Sequence, residues 1–273
     1  MTRHSNRTAA EPGTIHETRL SVRTLTKRFG GLVAVDAVTF DVARAGVTAV
    51  IGPNGAGKTT LFNTIAGAFP PTDGRVLFEG DDITGLPPER VAARGLIRTF
   101  QLVQLFQNLS VKENVKVGRH LHTRGGLLAA LLRPGWARRE EAGVEQRARE
   151  LLAFVGLDHR AELPASVLPY GQQRLLEIAR AMAAEPKLLL LDEPAAGLNA
   201  DETRRLAEVI RRIADDGTTV LLIEHDMTLV MNTADSVVVL DFGRKISEGT
   251  PDAVRADPAV IEAYLGSPET LHA

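Results

Sequence analysis

Compact apolar runs recur along the chain at Val47 to Ile51, Lys187 to Leu191, Thr219 to Ile223 and Ser236 to Leu240. Runs this short with no polar face predict strands covered on both sides, because neither row of alternating side chains meets water. A second pattern, apolar residues in alternation, marks Val38 to Val42 inside a first structured stretch from Leu20 to Val42. Arg75 to Glu79 predicts a further strand. Between the runs, Thr59 to Ala66, Glu202 to Ala214 and Met227 to Thr233 have helical character, the first stopping at Gly67. Asp252 to Leu265 predicts short terminal helices. Strand, glycine-rich turn (Gly52 to Gly57) and helix in succession open a parallel-sheet nucleotide-binding fold of the α/β class.

From about Val111 to Gly156 the texture changes. Helical patterns follow one another without a strand, and Glu140 to Leu152, rich in Arg, Glu and Ala, predicts an exposed helix. A helical subdomain inserted at about 102–185 is expected, within a core spanning 19–251 and followed by a helical tail at 252–273. The run Leu127 to Leu132 has two readings, a membrane-touching patch or a packed helix segment, and its length favours the second. No run approaches the roughly 20 apolar residues that span a bilayer. Met1 to Thr18 is polar, contains Pro12-Gly13, lacks the apolar centre of a signal peptide and is expected to be a disordered lead-in. A net charge of −2 offers no basic field for nucleic acid, and the absence of cysteine excludes disulfides and thiolate metal sites and fits a reducing compartment.

Chemistry concentrates in two places. Gly52-Pro53-Asn54-Gly55-Ala56-Gly57-Lys58-Thr59 satisfies the phosphate-binding pattern Gly-x-x-x-x-Gly-Lys-Ser/Thr in full, between a strand and a helix, with Thr60 next in line. Glycines let backbone N–H groups turn inward around phosphates, and the helix N-terminus adds positive potential. Lys58 is placed to reach the β- and γ-phosphates, and the Thr59 hydroxyl to ligate Mg²⁺. The second place is Leu188-Leu189-Leu190-Leu191-Asp192-Glu193, a buried strand ending in two acids. Beside a phosphate loop, an acid such as Asp192 holds the magnesium shell and Glu193 can act as general base on water. Together these fix a nucleotide hydrolase without saying which kind.

Further motifs decide the kind. Leu168-Pro169-Tyr170-Gly171-Gln172-Gln173 opens a helix running to Ala184 and resembles the signature sequence of ABC ATPases. Ala196-Gly197-Leu198-Asn199 resembles their D-loop. Gln101 falls where that family has its Q-loop glutamine, His225 where it has its switch histidine, and Phe29 where an aromatic stacks on adenine. The resemblance covers Leu20 to the C-terminus. It implies a P-loop hydrolase core with an inserted helical subdomain and an antiparallel β subdomain. It assigns Glu193, His225, Lys58 and Gln101 to catalysis, and Thr59, Asp192 and Gln101 to Mg²⁺. Leu168, Pro169, Tyr170, Gly171 and Gln172 would then close the ATP site of a second subunit.

Finer stretches resemble the longer ATPase subunit of branched-chain amino acid transporters: Arg28-Phe29-Gly30-Gly31, Arg98-Thr99-Phe100-Gln101, Asn108-Leu109-Ser110-Val111, Asp192 to Asn199, Ile223-Glu224-His225-Asp226-Met227 and Ala263-Tyr264-Leu265-Gly266. That resemblance implies a peripheral protein at the cytoplasmic face of the membrane, using ATP and Mg²⁺. Its partners would be a shorter paralogous ATPase, two permease subunits and, indirectly, an extracytoplasmic binding protein, with no nucleic acid. Leu102, Val103, Leu105 and Phe106 are either a groove for a permease helix or core packing. The alternatives for this chain are import of urea or short amides, as in related systems, and export of a lipid or polysaccharide, which shares every ATPase motif and differs only in partner. A repair ATPase would carry a long coiled coil between Thr60 and Val167, where no heptad pattern occurs, and a translation factor would carry two cassettes. Pro169 replaces the serine of the general signature, which leaves closure to the N–H groups of Gly171 and Gln172.

Overall fold

The computed structural model describes residues 18–99, 104–119 and 135–265. Residues 1–17 of the expected lead-in, Phe100 to Val103 with Gln101, the Leu127 to Leu132 run and residues 266–273 lie outside them, whereas Thr18, the lead-in's last residue, already belongs to the first strand. Strands β1 (Thr18–Phe29) and β2 (Leu32–Ala43) form a long hairpin turning at Gly30 and Gly31. With β4 (Asp73–Phe78) and β5 (Asp81–Asp82) they make a four-stranded antiparallel sheet of order β2-β1-β4-β5. The second sheet has six strands: β3 (Val47–Ile51), β6 (Leu96–Arg98), β7 (Leu188–Asp192), β8 (Thr219–Ile223), β9 (Ser236–Asp241) and β10 (Arg244–Gly249). Its order is β10-β9-β3-β8-β7-β6, all parallel except the β10 edge.

Period-two patterning divides the apolar runs between two cores. Val50, Leu190, Leu221 and Val238 face the antiparallel sheet and helix α1 (Lys58–Ile65), packing with Leu20, Phe40 and Phe62. Ala49, Leu189, Leu222 and Val237 face the other way, against α6 (Ala200–Asp215), α7 (Met227–Thr233) and the terminal pair α8 (Pro251–Arg255) and α9 (Pro258–Leu265). Glu79 ties the two sheets together, paired with Arg19, with Arg44 at 2.9 Å and with Lys187 at 2.5 Å. The Lys187 hydrogen bond and the surrounding cations hold its carboxyl below the ordinary carboxylate range, against the opposing effect of burial.

Between β4 and β6 lies α2 (Pro88–Ala92). Between β6 and β7 the described chain is helical: α3 (Val111–Gly118), α4 (Gly135–Phe154) and α5 (Tyr170–Met182). Helix α3 begins with a reciprocal capping box, Ser110 accepting from the Glu113 N–H while the Glu113 carboxylate accepts from the Ser110 N–H. Helix α4 corrects the expectation of an exposed helix. Ala148, Leu151, Leu152 and the following Val155 are buried, a spacing of three, four and seven that lines one face. Their signal is outnumbered in sequence by the Arg and Glu of the opposite face.

Two edge strands, β6 and β10, have no counterpart in the apolar runs. Edge strands are short or charged, and Arg98, Arg244, Lys245 and Glu248 fit that rule. Helices α3 and α5 cross closely at Gly118, where a Cβ would lie 2.0 Å from the Arg180 carbonyl oxygen. Gly118→Ala is therefore expected to lower stability by roughly 1–3 kcal/mol through overpacking against backbone. The check is the urea unfolding midpoint, which an open crossing would leave unchanged.

Candidate active site

Three parallel strands place the candidate chemistry on one edge. Val50 of β3 pairs with Ile223 of β8, and Ile223 pairs with Asp192 of β7. The chain leaves all three at one level, β3 toward Gly52, β8 into Glu224 and β7 into Glu193. Carboxyl ends of parallel strands are where open α/β sheets bind ligands.

The turn after β3 is built from forced glycines. A Cβ on Gly52 would lie 2.1 Å from the Leu240 carbonyl oxygen, and one on Gly57 would lie 2.3 Å from that of Ala34, where φ is also +97°. Only glycine lets the loop lie against β9 and β2 and wind into α1. Lys58 Nζ donates to the carbonyls of Gly52 at 2.8 Å and Pro53 at 3.0 Å. Burial lowers its pKa, and the negative charges of Glu193 and Asp192 oppose that effect.

Asp192 is 1% exposed and accepts from Arg98 Nη2 at 2.7 Å, while Arg98 Nη1 holds Asn63 Oδ1 of α1 at 2.6 Å. The other carboxylate oxygen, Oδ1, is buried without a hydrogen-bond partner among the described residues. A buried orphan acceptor beside a phosphate loop is what a hard cation or its water would satisfy, so this donor set fits Mg²⁺. Glu193 adopts φ +46°, a left-handed turn that a glutamate enters at a cost, and its N–H donates to Ile223 O at 3.0 Å.

Asn54 to Thr60, Glu193, Leu32, Val33, Ala34, Phe242 and Gly243 line one cavity of about 450 Å³. Gly52 and Pro53 floor the turn beneath it through their bonds to Lys58. Other expected residues stand elsewhere. Phe29 is half-exposed at the end of β1, edge-on to Phe69 at 5.3 Å, with Lys27 Nζ 5.1 Å above its ring, and is not part of this lining. His225 follows β8, its side chain 57% exposed and also outside the lining. Gln101 lies outside the described residues.

The signature forms the start of α5, away from this cavity. Pro169 is the N-cap, one position ahead of the first turn, with exposed Tyr170 next and Gly171 buried against Glu202. Leu168 is buried, and its carbonyl accepts from Gln173 Nε2. One expectation is corrected here. The Gln172 N–H donates to Pro169 O at 2.9 Å, so the helix tip presents the amides of Tyr170 and Gly171 instead. Asn199, at the end of the D-loop, is the N-cap of α6: its side chain accepts from Asp201 and Glu202 N–H, and Glu202 answers with a bond to the Asn199 N–H.

Sequence reasoning gave no role to Arg98, Leu32, Phe242 or Tyr264. Phe242 is 86% exposed with φ +42°, held over the cavity by the turn between β9 and β10. Tyr264 of α9 meets the backbone of Gly52; burial raises its pKa and that contact opposes the rise. Arg98 and Tyr264 stand inside stretches already singled out, yet nothing in their spacing reveals these contacts.

A family model described as ABC transporter matches residues 35–196, and one described as branched-chain amino acid ATP-binding cassette transporter matches 244–270. The high-affinity branched-chain amino acid transport ATP-binding protein BraF of Pseudomonas aeruginosa is 46% identical over 248 residues, covering 90% of this chain and 97% of the relative. LivG of Escherichia coli, described in the same terms, gives the same identity and coverage. Among solved structures, the ADP conformation of an ATP-binding cassette of an ABC transporter superposes with a TM-score of 0.80 at 35% identity, over 92% of this chain and 99% of that one. CbiO1 of Clostridium perfringens, part of an ABC transporter complex, gives 0.77 at 29% identity, over 94% and 98%.

Arg98→Met leaves Asp192 buried without its direct ion-pair partner. The expected loss of folding stability is about 3 kcal/mol, as for other buried pairs broken on one side. Denaturant unfolding at neutral pH measures it, and a loss well under about 1 kcal/mol would mean that the pair is screened like a surface one.

Proposed function

The chain belongs to the ABC transporter family as an ATP-hydrolysing subunit, and from that premise we propose that it powers the import of branched-chain amino acids as one half of an asymmetric ATPase pair docked on membrane permeases. The observation that carries the ATPase reading is the single cavity shared by the phosphate loop and Glu193, at the strand ends that also release Asp192. The cargo reading is supported by the relatives and by the match at 244–270, which covers β10 and the terminal helices.

In this reading the N–H groups of Gly55 to Thr60 and the Lys58 ammonium cradle the β- and γ-phosphates. Thr59 Oγ1 and the orphan Asp192 Oδ1 would hold Mg²⁺, with Gln101 added by family resemblance. When bound, the ion neutralises phosphate charge. Glu193 accepts a proton from the attacking water, and His225 must move in from its exposed position to meet the γ-phosphate. Lys58, bonded to the Gly52 and Pro53 carbonyls, exchanges them for phosphate oxygens. Leu32, Val33 and Phe242 offer apolar contact to the nucleoside, with Phe29 and its Phe69 and Lys27 neighbours as a second aromatic surface.

No signature residue lines the chain's own cavity. This supports closure in trans, the amides of Tyr170 and Gly171 meeting the γ-phosphate held by the paralogous subunit. Hydrolysis removes the charge that holds the halves together, so the pair reopens. A separate hollow of about 380 Å³ on the helical side, lined by Arg98, Gln104, Phe106, Val117 and Arg180 among others, suits a permease helix. Among the described residues no helix is long and apolar enough to cross a membrane, in keeping with a peripheral subunit on the cytoplasmic side.

Glu193→Gln is expected to keep nucleotide affinity and to lower kcat by roughly a hundredfold or more, the scale of losing a general base. Lys58→Ala is expected to weaken nucleotide binding itself. Equilibrium binding and single-turnover hydrolysis separate the two, and near-normal hydrolysis in Glu193→Gln removes it as the base.

A further inference from the structure

Glu224 stands between the last residue of β8 and His225, and its side chain is fully buried. Such a carboxylate is costly unless its oxygens are met by donors. Here three backbone amides meet them. Oε1 accepts from the Ala195 N–H at 2.8 Å, and Oε2 accepts from the N–H groups of His225 at 3.0 Å and Asp226 at 3.1 Å. The His225 ring nitrogen Nδ1 lies 4.0 Å from Oε2. Burial raises the carboxyl pKa, and the three amides offset only part of the rise.

These donors belong to two different loops. Ala195 lies two residues beyond Glu193, on the turn that leaves β7 for the D-loop. His225 and Asp226 form the turn that leaves β8, and Asp226 goes on to cap α7. The β7–β8 ladder reaches its end where the Glu193 N–H meets Ile223 O at 3.0 Å. Past that point the Glu224 side chain takes over as the bridge.

We propose that Glu224 is a positioning residue that clamps the Glu193 loop to the His225 loop, so that general base and switch histidine move as one unit. The catalytic consequence rests on the ATPase reading given above, whereas the clamp itself does not. Glu224 does not line the nucleotide cavity and is not offered as a catalytic residue. A carboxylate suits the place because it is acceptor-only, and all three groups facing it are donors. Glutamine has the same shape but turns an NH₂ group toward at least one of those amides.

The test uses the full-length chain carrying Glu224→Gln. Hydrogen exchange is expected to rise in peptides covering 193–199 and 224–226 and to stay unchanged in α1. With MgATP, kcat is expected to fall between roughly tenfold and a hundredfold with KM held within about twofold, the mark of misplaced groups with binding intact. Glu224→Asp, which keeps an acceptor-only group, is expected to be less impaired than Glu224→Gln, and it serves as the readout if the glutamine variant does not fold. Unchanged exchange in both loops overturns the clamp. Raised exchange with unchanged kcat, or a kcat loss matched by a rise in KM, overturns its role in positioning. Failure of the parent reading is separate and shows as normal hydrolysis in Glu193→Gln, whatever Glu224→Gln does.

Discussion

The parallel, in-register pairing of β3, β8 and β7 is the constraint on which the rest of the molecule depends. Val50, Ile223 and Asp192 stand at one level of the sheet. Phosphate loop, switch loop and paired acids therefore leave the sheet on the same edge. All three strands are buried on both faces, so a one-residue slip would exchange the two cores as well as misalign the loops. Stability and function are set by the same register.

That edge gathers more negative charge than a fold alone would place there. Asp192 and Glu193 at the end of β7 and Glu224 at the end of the neighbouring β8 stand against Lys58 and Arg98. The chain compensates most of it internally: Arg98 holds one oxygen of Asp192, and backbone amides hold both oxygens of Glu224. Of the Asp192 and Glu224 carboxylate oxygens, Asp192 Oδ1 stays unmet among the described residues, and beside it Glu193 holds a left-handed backbone. Departures from local rules collect where a ligand is to bind, and here they sit together at the end of β7.

Much of this was legible in the sequence because the physics is local. Val47 to Ile51 and Thr219 to Ile223 read as buried strands and are β3 and β8 to the residue. The glycine spacing of the phosphate loop needs no tertiary information, although the carbonyls that force Gly52 and Gly57 come from Leu240 and Ala34, far away in sequence. Where a contact is long-range and leaves no period, sequence reading stops. Strands β6 and β10 have too few apolar residues to announce themselves. The buried stripe of α4 is diluted by its charged face. Phe29 keeps company with Phe69 and Lys27 away from the phosphate cavity, and Phe242 overhangs that cavity from a turn with no motif. Glu224 sits beside a recognisable histidine, but that its carboxylate reaches Ala195 follows only from the pairing of β7 with β8. Asn199, at the end of the D-loop, is explained by the helix it caps.

Transport is the claim that joins these parts, and it is tested most directly by reconstitution. The proposed partners, two permeases and a paralogous ATPase, are assembled with this chain in proteoliposomes, with a binding protein loaded with labelled leucine. Transported leucine is then measured against ATP consumed. The account predicts ATP-dependent transport that requires this chain and stops when its phosphate loop is disabled. Leucine movement at the same rate without this chain, or ATP turnover by the full assembly with no leucine moved, would contradict it.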